Sequence, residues 1–302
     1  GRLLLSASDR LSAFDNHICD VRGKGICLNK MSKWWFDNTK HIIDNHYIHS
    51  SGKHMIVRKT NPIKLEIVVR GYMTGASPTS IWTMYSKGER DIYGINFRDG
   101  YNKNEKLDDI IVTPTTKGKH DYPITEDEIV NQGYLSQNDY DFIKSKALEL
   151  FRYGQKVARD KGFVLVDTKY EFGRLDDGSI ILIDEIHTCD SSRYWFVGEN
   201  EDYTNPKKLD KDIIRDYIKQ NKTNEIPTEL VNKVSDVYNE YLTRFEIEND
   251  DDEIIFYTGD EYVDYYFNNI HNEIVVVLAG SYSDSEFVQK IMDNLKNKNN
   301  GL

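Results

Sequence analysis

No apolar stretch of this 302-residue sequence approaches the roughly 20 residues that cross a bilayer, and none reads as a secretory signal peptide. A membrane is therefore not an expected partner. Cysteine is scarce: Cys19, Cys27 and Cys189 contain no CxxC pair and cannot all pair with one another. That excludes a disulfide framework and favours a reducing compartment, so the cytoplasm is the expected location. Positive charge is in deficit, with 39 Lys and Arg against 50 Asp and Glu and a net charge of −11. Such a balance argues against nucleic acid as a partner. No internal repeat is visible. "RGKG" at Arg22–Gly25 lacks the Ser or Thr that follows the lysine of a P-loop, and reads as a tight turn. What is present, 39% hydrophobic and 29% charged residues, suits an ordinary globular protein, long enough for one large domain plus a fragment. The chain begins at Gly1, without methionine and directly in strand-like "RLLLSASD". The expectation is that an N-terminal piece precedes it.

"FVLVDTKYEFG", Phe163 to Gly173, reads as a strand with an unusual face. Val164, Val166, Thr168, Tyr170 and Phe172 share one side, while Asp167, Lys169 and Glu171 follow one another on the other. In an isolated strand that charged face would ordinarily be solvated. The sequence continues "RLDDGSIILIDEIH", an Asp-Gly turn signal before a second apolar run, which predicts a hairpin. With Asp177 and Gly178 as the loop, Asp176 pairs with Ser179 and Glu171 faces Asp184. Facing residues have Cβ atoms about 4.5–5.5 Å apart, and two carboxylates so close repel unless one is protonated or a cation lies between them. Paired carboxylates suit Mg²⁺, which completes its shell with water and substrate phosphate. Lys169, on the same face, would be a natural phosphate partner. The local pattern points to a nucleotide–metal site.

Elsewhere, Arg2–Ser6 reads as a strand, Asp9–Asn16 as a polar turn, and Leu28–His46 as a helix with core aromatics. His41, His46 and His49 match no zinc spacing and read as structural or surface residues. "KLEIVVRGYMTG" and "DIYGINF" read as strands, and Leu107–Thr125 as a Pro-broken, Thr-rich loop. A long amphipathic helix should stop at Gly162. Two more helices follow; Pro227 suits a first turn, and Leu230, Val231, Val234, Val237, Tyr238, Tyr241 and Leu242 make one stripe. The acidic "EIENDDDE" reads as a linker.

Six stretches occur in the order of one family: "SASDRLSAFD", "VRGKGICLNKMSKWWF", "LEIVVRGYMTG", "TPTTK" with "HD", "VDTKYEFG" and "DEIHTCDSSRYW". Together they resemble SAICAR synthetase, over about residues 1 to 245. The resemblance implies an α+β architecture of two lobes with ATP in the cleft between them. It implies ATP and Mg²⁺ as cofactors, and an ATP-dependent ligase of purine biosynthesis. Its substrates would be L-aspartate and carboxyaminoimidazole ribotide (CAIR), joined through an acyl phosphate to give SAICAR, ADP and phosphate. Glu171 and Asp184 fall on the family's metal carboxylates, in agreement with the hairpin arithmetic, and Lys169 on a lysine at the reacting phosphate. Asp167 would orient Lys169 or be a surface acid. Arg70 and Arg193 match arginines that hold the ribotide, a role that suits the guanidinium fork. Asp190 and Ser192 flank that site, and Lys117, His120 and Asp121 lie on a cleft loop, although "HD" also suits a cap or turn. Asp9, Arg10, Ser12 and Asp15 form a polar turn without individual roles.

The sequence departs from the family pattern in three places. The glycine-rich, basic strand-turn-strand that covers the ATP phosphates is not in this sequence. Thr74-Gly75-Ala76 replaces "TGS", so that a phosphate-contacting hydroxyl is either lost or shifted by one residue to Ser77, and Cys189 stands where many members have proline. The tail, "NEIVVVLAGSYSDSEF", resembles the opening of an AIR carboxylase domain, with Gly280, Ser281, Ser283 and Asp284 as its phosphate site. The domain expectation is a synthetase over 1–245, a linker over 246–270, and over 271–302 the first βα unit of an α/β carboxylase domain. That domain would make the protein bifunctional and mediate homo-oligomerisation. Two other classes stay open: a phosphotransferase to another small molecule, and a non-catalytic nucleotide-binding protein.

Overall fold

Leucines in Arg2–Ser6 form strand β1 as expected, but the first half of the polar turn predicted over Asp9–Asn16 is a strand. Arg10–Ala13 (β2) and Asn16–Asp20 (β3) make an antiparallel hairpin. Leu11 is fully buried, and burying that one side chain draws the polar segment into extended pairing. The computed structural model describes residues 1–247, apart from 14–15, 119–121, 199–202, 208–211 and 224, together with 274–276.

Helix α1 (Lys24–Thr39) begins earlier than its hydrophobic spacing suggested, because Asp9 caps it from outside. The Asp9 carboxylate accepts from the N–H groups of Gly23 (3.2 Å) and Gly25 (2.9 Å). Gly23, at φ +81°, makes the tight turn expected of "RGKG". Trp35 and Phe36 are wholly buried, as expected. Strands β4 (Tyr47–Ser51), β5 (His54–Arg58), β6 (Asn61–Pro62) and β7 (Leu65–Tyr72) follow. Helix α2 (Ile81–Ser86) leads to a miniature hairpin of β8 (Asp91–Ile92) and β9 (Ile95–Asn96). The loop expected over Leu107–Thr125 is mostly strand: β10 (Lys106–Thr116) runs along β7. Its Pro114 is tolerated because β10 is an edge strand, where a missing N–H breaks no inner ladder.

Helix α3 (Glu126–Asn131) opens with a Thr125–Glu128 capping box. Helix α4 (Gln137–Asp160) buries Tyr140, Ile143, Ala147, Leu150 and Phe151 along one stripe, and the chain turns away at Gly162, φ +82°. Then come β11 (Phe163–Arg174), β12 (Ile180–Ile183) and β13 (Ser192–Phe196). Helices α5 (Asp212–Asn221) and α6 (Thr228–Arg244) follow, with Pro227 at the α6 N-cap and Val234, Tyr238, Tyr241 and Leu242 buried. Strand β14 (Ile274–Val276) is the last element among the described residues.

Strand β11 is the axis of the larger sheet, ordered β10-β7-β11-β12. Strand β13 pairs with its first half, ahead of β12, and β6 pairs with its end. These pairings are antiparallel, so the α+β class holds. The smaller sheet is ordered β14-β1-β5-β4, with β14 parallel to β1. Beneath the start of β11, Phe163 stacks on Tyr241 at 5.6 Å and Tyr241 on Phe245 at 4.2 Å. Trp35 Nε1 donates to the Tyr241 hydroxyl at 2.9 Å, tying α1 and α6 to the sheet. Truncating one such aromatic residue typically costs about 3–5 kcal/mol. Among the described residues no helix is long and apolar enough to cross a membrane, and all three cysteines are free.

Candidate active site

Because β11 is central, its charged face meets side chains from strands on both sides. Asp167 lies directly across from Arg70 on β7 and from Arg193 on β13. The Nη1 atoms of both arginines lie 3.5 Å from the same oxygen, Asp167 Oδ2. Arg70 Nε also donates to Thr113 Oγ1 (2.8 Å). Burial lowers the Arg70 pKa from its usual value and Asp167 opposes the shift; a guanidinium stays charged throughout. Two guanidinium groups around one carboxylate leave excess positive charge, which suits an anion. Asp167 therefore positions the arginines, which corrects the expectation that it orients Lys169 or sits on the surface. Cross-strand neighbours approach to about 4.5–5.5 Å, closer than same-face residues along one strand.

Two residues on, Lys169 Nζ lies 3.0 Å from Glu66 Oε1, 3.3 Å from Glu171 Oε1 and 3.8 Å from Asp184 Oδ2. Burial disfavours its charge, but Asp184, Glu66, Glu171 and Glu185 outweigh burial and hold the ammonium above its usual pKa. Lys117 Nζ donates to the other Glu171 oxygen. Burial pushes Glu171 up, yet Lys169 and Lys117 hold it below the usual carboxylate range. A third of the Asp184 side chain touches solvent, but its surroundings raise its pKa, through burial first and then the Glu171 charge.

The hairpin that brings these carboxylates together differs from the predicted one by a residue. Leu175 N–H donates to Ser179 O, and Asp176–Gly178 form the loop, with Gly178 at φ +89°. Glu171 accordingly pairs with Ile183, not Asp184. A one-residue slip would send Asp184 to the opposite face if the strand continued. It does not continue: β12 ends at Ile183, and Asp184 adopts φ +66°. That left-handed turn leaves its carboxylate within reach of Lys169. His46 Nε2 donates to the Asp184 carbonyl at 3.2 Å, and His46 N–H to Leu182 O at 3.0 Å, which pins the turn from outside.

The chain from Asp184 to Ser191 is held by Thr188, whose hydroxyl donates to Glu185 Oε2 (2.6 Å) and accepts from Asp190 and Ser191 N–H. His187 lies wholly buried beneath, its carbonyl accepting from Tyr194 and Tyr241 hydroxyls. Gly154 permits this: a Cβ there would come within 2.4 Å of the His187 ring. Above the segment opens a cavity of about 290 Å³, lined among others by Arg10, Lys24, Lys53, Asp184, Glu185 and Asp190. Lys24, 3% exposed, donates to Asp190 Oδ2 at 2.7 Å, and the Tyr238 hydroxyl donates to Asp190 Oδ1 at 3.0 Å.

Arg70, Arg193, Asp167, Lys169, Glu171, Asp184 and Lys117 thus form one continuous site, with Asp190 beside it at the cavity. Lys117 serves Glu171, at the carboxylate end. Ser192, expected to flank the ribotide site, has its hydroxyl held inside the protein. It pairs with Thr168, on the face opposite Asp167, and its buried hydroxyl lies 2.7 Å from Thr168 Oγ1. Ser77 is exposed on the turn before α2, with Thr79 as the hydroxyl's described partner (3.4 Å), outside the cluster. His120, Asp121 and Asp15 lie outside the described residues, as do Gly280, Ser281, Ser283 and Asp284. Sequence reasoning missed Lys24 and Glu66. Lys24 had a signal, a cation at the start of a helix, and Glu66 had another, an acid inside an apolar strand.

Among the described residues, no group of three or more His, Cys, Asp or Glu is arranged to hold a metal. Glu171 and Asp184 nonetheless fit Mg²⁺, which needs only one or two protein carboxylates beside water and phosphate. The two ammonium groups on Glu171 show that this end attracts cations.

The SAICAR synthetase family pattern matches residues 1–230. The chain is 48% identical over 225 residues to a chloroplastic phosphoribosylaminoimidazole-succinocarboxamide synthase of Arabidopsis thaliana, covering 72% of this chain. It spans 55% of the length of that relative. Its fold is similar to that of SAICAR synthase from Saccharomyces cerevisiae complexed with SAICAR. There the TM-score is 0.70 and the identity 27%, over 82% of this chain and 88% of the other. A type-2 SAICAR synthetase in complex with ADP matches with TM-score 0.63 and 26% identity, over 82% and 91% of the two chains.

Proposed function

The chain belongs to the SAICAR synthetase family, and we propose that it joins L-aspartate to the carboxylate of CAIR at the expense of ATP, giving SAICAR, ADP and phosphate. One observation carries the reading: an anion-binding arginine pair, a lysine and a carboxylate pair succeed one another along one face of β11. The yeast relative bound SAICAR and another relative bound ADP, which supports ribotide and nucleotide sites in this fold.

In this reading Arg70 and Arg193 hold the ribotide and direct its carboxylate toward Lys169. A carboxylate oxygen attacks the γ-phosphorus of ATP, the bond from that phosphorus to the β–γ bridging oxygen breaks, and ADP leaves. Lys169 neutralises charge on the transferring phosphoryl group, the main catalytic requirement of such a step. The amine of L-aspartate then attacks the acyl carbon, inorganic phosphate leaves with the former carboxylate oxygen, and the nitrogen loses a proton. Glu171 and Asp184 would hold Mg²⁺, which supplies charge neutralisation at the nucleotide phosphates. Lys117 and Lys169 hold Glu171 ionised for that role.

Product analysis with ATP, CAIR and L-aspartate tests the proposal. SAICAR formation dependent on all three supports it. ADP formation independent of L-aspartate would indicate a phosphotransferase, and ATP binding without turnover a non-catalytic protein. The proposal extends to residues 271–302 as the start of a carboxylase-like domain through which the protein would oligomerise, supported by "GSYSD" at Gly280–Asp284. AIR-dependent CAIR formation by the natural protein tests that part.

A further inference from the structure

We propose that Lys24 selects a dicarboxylic amine substrate by binding one of its carboxylates in the cavity beside the 184–190 segment. The inference rests on the ligase reading and assigns a subsite to its amine substrate. Lys24 is almost wholly buried, and the described acceptor of its ammonium is Asp190 Oδ2. An ammonium has three donors, so this single hydrogen bond leaves donor capacity at a cation that also lines the cavity. Burying a cation is costly unless it is well paired. The position adds to that cost. Lys24 is the first residue of α1, whose opening turn holds no acid, and a helix N-terminus disfavours positive charge. The helix does not need Lys24 as a cap, because Asp9 already takes the Gly23 and Gly25 N–H groups. Helix capping gives no reason for a lysine here, and its described ion pair with Asp190 uses one of its three donors; binding an anion would use the others.

The cavity indicates which anion. Arg10, Lys24 and Lys53 bring positive charge to its wall, and Asp184, Glu185 and Asp190 bring negative charge. A small molecule carrying two carboxylates and an amine complements both signs. Asp184 connects this cavity to Lys169, 3.8 Å away. An amine held at the acidic wall would therefore stand next to the carboxylate activated at Lys169, while Lys24 grips the far end of the molecule.

Lys24→Met and Lys24→Gln, assayed in the complete protein, test the assignment. Losing one charge-assisted contact typically weakens binding about 10- to 150-fold. The KM for L-aspartate should rise by that factor, with the KM values for CAIR and ATP changed less than about threefold. Preference for L-aspartate over L-alanine should fall in parallel, and Lys24→Arg should recover part of it. In the unaltered protein, succinate should compete with L-aspartate and propionate should not. Equal rises in all three KM values, unchanged preference over L-alanine, or equal competition by succinate and propionate would overturn the role of Lys24. If the variants do not fold, the competition measurement on the unaltered protein decides alone. A protein that makes no SAICAR from the three substrates defeats the ligase reading itself. Calorimetric binding of L-aspartate to the unaltered chain and to Lys24→Met then still tests the subsite.

Discussion

The two ends of the charged face of β11 differ in sign although one strand of the same pleat builds both. At the Asp167 end, guanidinium groups from β7 and β13 surround one carboxylate. At the Glu171 end, carboxylates from β7, β11 and the turn after β12 surround two ammonium groups. The first arrangement has positive charge to spare for an anion and the second has negative charge to spare for a cation. Lys169 stands between them. In the proposed ligase reading the field reverses within one strand length, so that the anionic ribotide is drawn to the first end and a metal ion to the second.

The most severe way to break this contrast is to neutralise the carboxylate end. Glu171→Gln or Asp184→Asn should reduce Mg²⁺-dependent ADP formation by about 10²–10³-fold, the scale seen when a positioned electrostatic group is lost. Binding of Mn²⁺, followed by its own spectroscopic signal, should weaken alongside. Turnover close to that of the parent in either variant would remove the metal assignment. Neutralising the other end should act on a different ligand. Arg70→Ala or Arg193→Ala should weaken CAIR binding about 10- to 150-fold, for roughly 1.5–3 kcal/mol of lost charge-assisted contact. ATP affinity should hardly move. Equal losses for both ligands would show that the arginines support the fold as a whole.

Folding keeps two histidines neutral, one under the 184–191 segment and one in the smaller sheet, and pH should expose them. Burial pushes His187 down to about 3, and burial followed by the Lys53 charge pushes His54 down to about 4. In the unfolded chain both titrate near 6.5. The unfolded state therefore takes up protons that the folded state refuses. Stability is complete above about pH 6.5 and is lost as pH falls from there toward the folded values, by roughly 1.4 kcal/mol per pH unit for each group. Urea unfolding between pH 7 and 5 should show this slope, and His187→Leu should flatten it by one group. An unchanged slope in that variant would place the acid sensitivity elsewhere. The smallest effect is expected from deleting residues 271–302, since the assigned ligase residues all precede position 196 and the described tail touches the sheet through β14 alone. ADP formation should stay within about twofold. A large drop would make β14 part of the ligase fold.

The charged face of β11 was legible from alternation alone, because side chains on a strand reverse with every residue. So were α4 with its Gly162 stop and the buried stripe of α6, since apolar spacing and a left-handed glycine act locally. The nature of the hairpin after β11 was local too, but its register was not. Both a two-residue and a three-residue loop accommodate Asp-Asp-Gly, and packing against β6, β7 and the 44–46 segment selects the latter. Carboxylate convergence survived the slip because of the left-handed Asp184, a feature no propensity predicts. The strand character of β10 was hidden by Pro114, which only an edge position excuses. The partners of Asp167 were hidden by distance along the chain, since Arg70 and Arg193 become its neighbours only when β7 and β13 flank β11. What the sequence determined by itself was which residues share a face. What the tertiary structure decided was which faces meet, and with them the sign of the charge at each end of the site, because pairing between strands far apart in sequence depends on how the whole core closes.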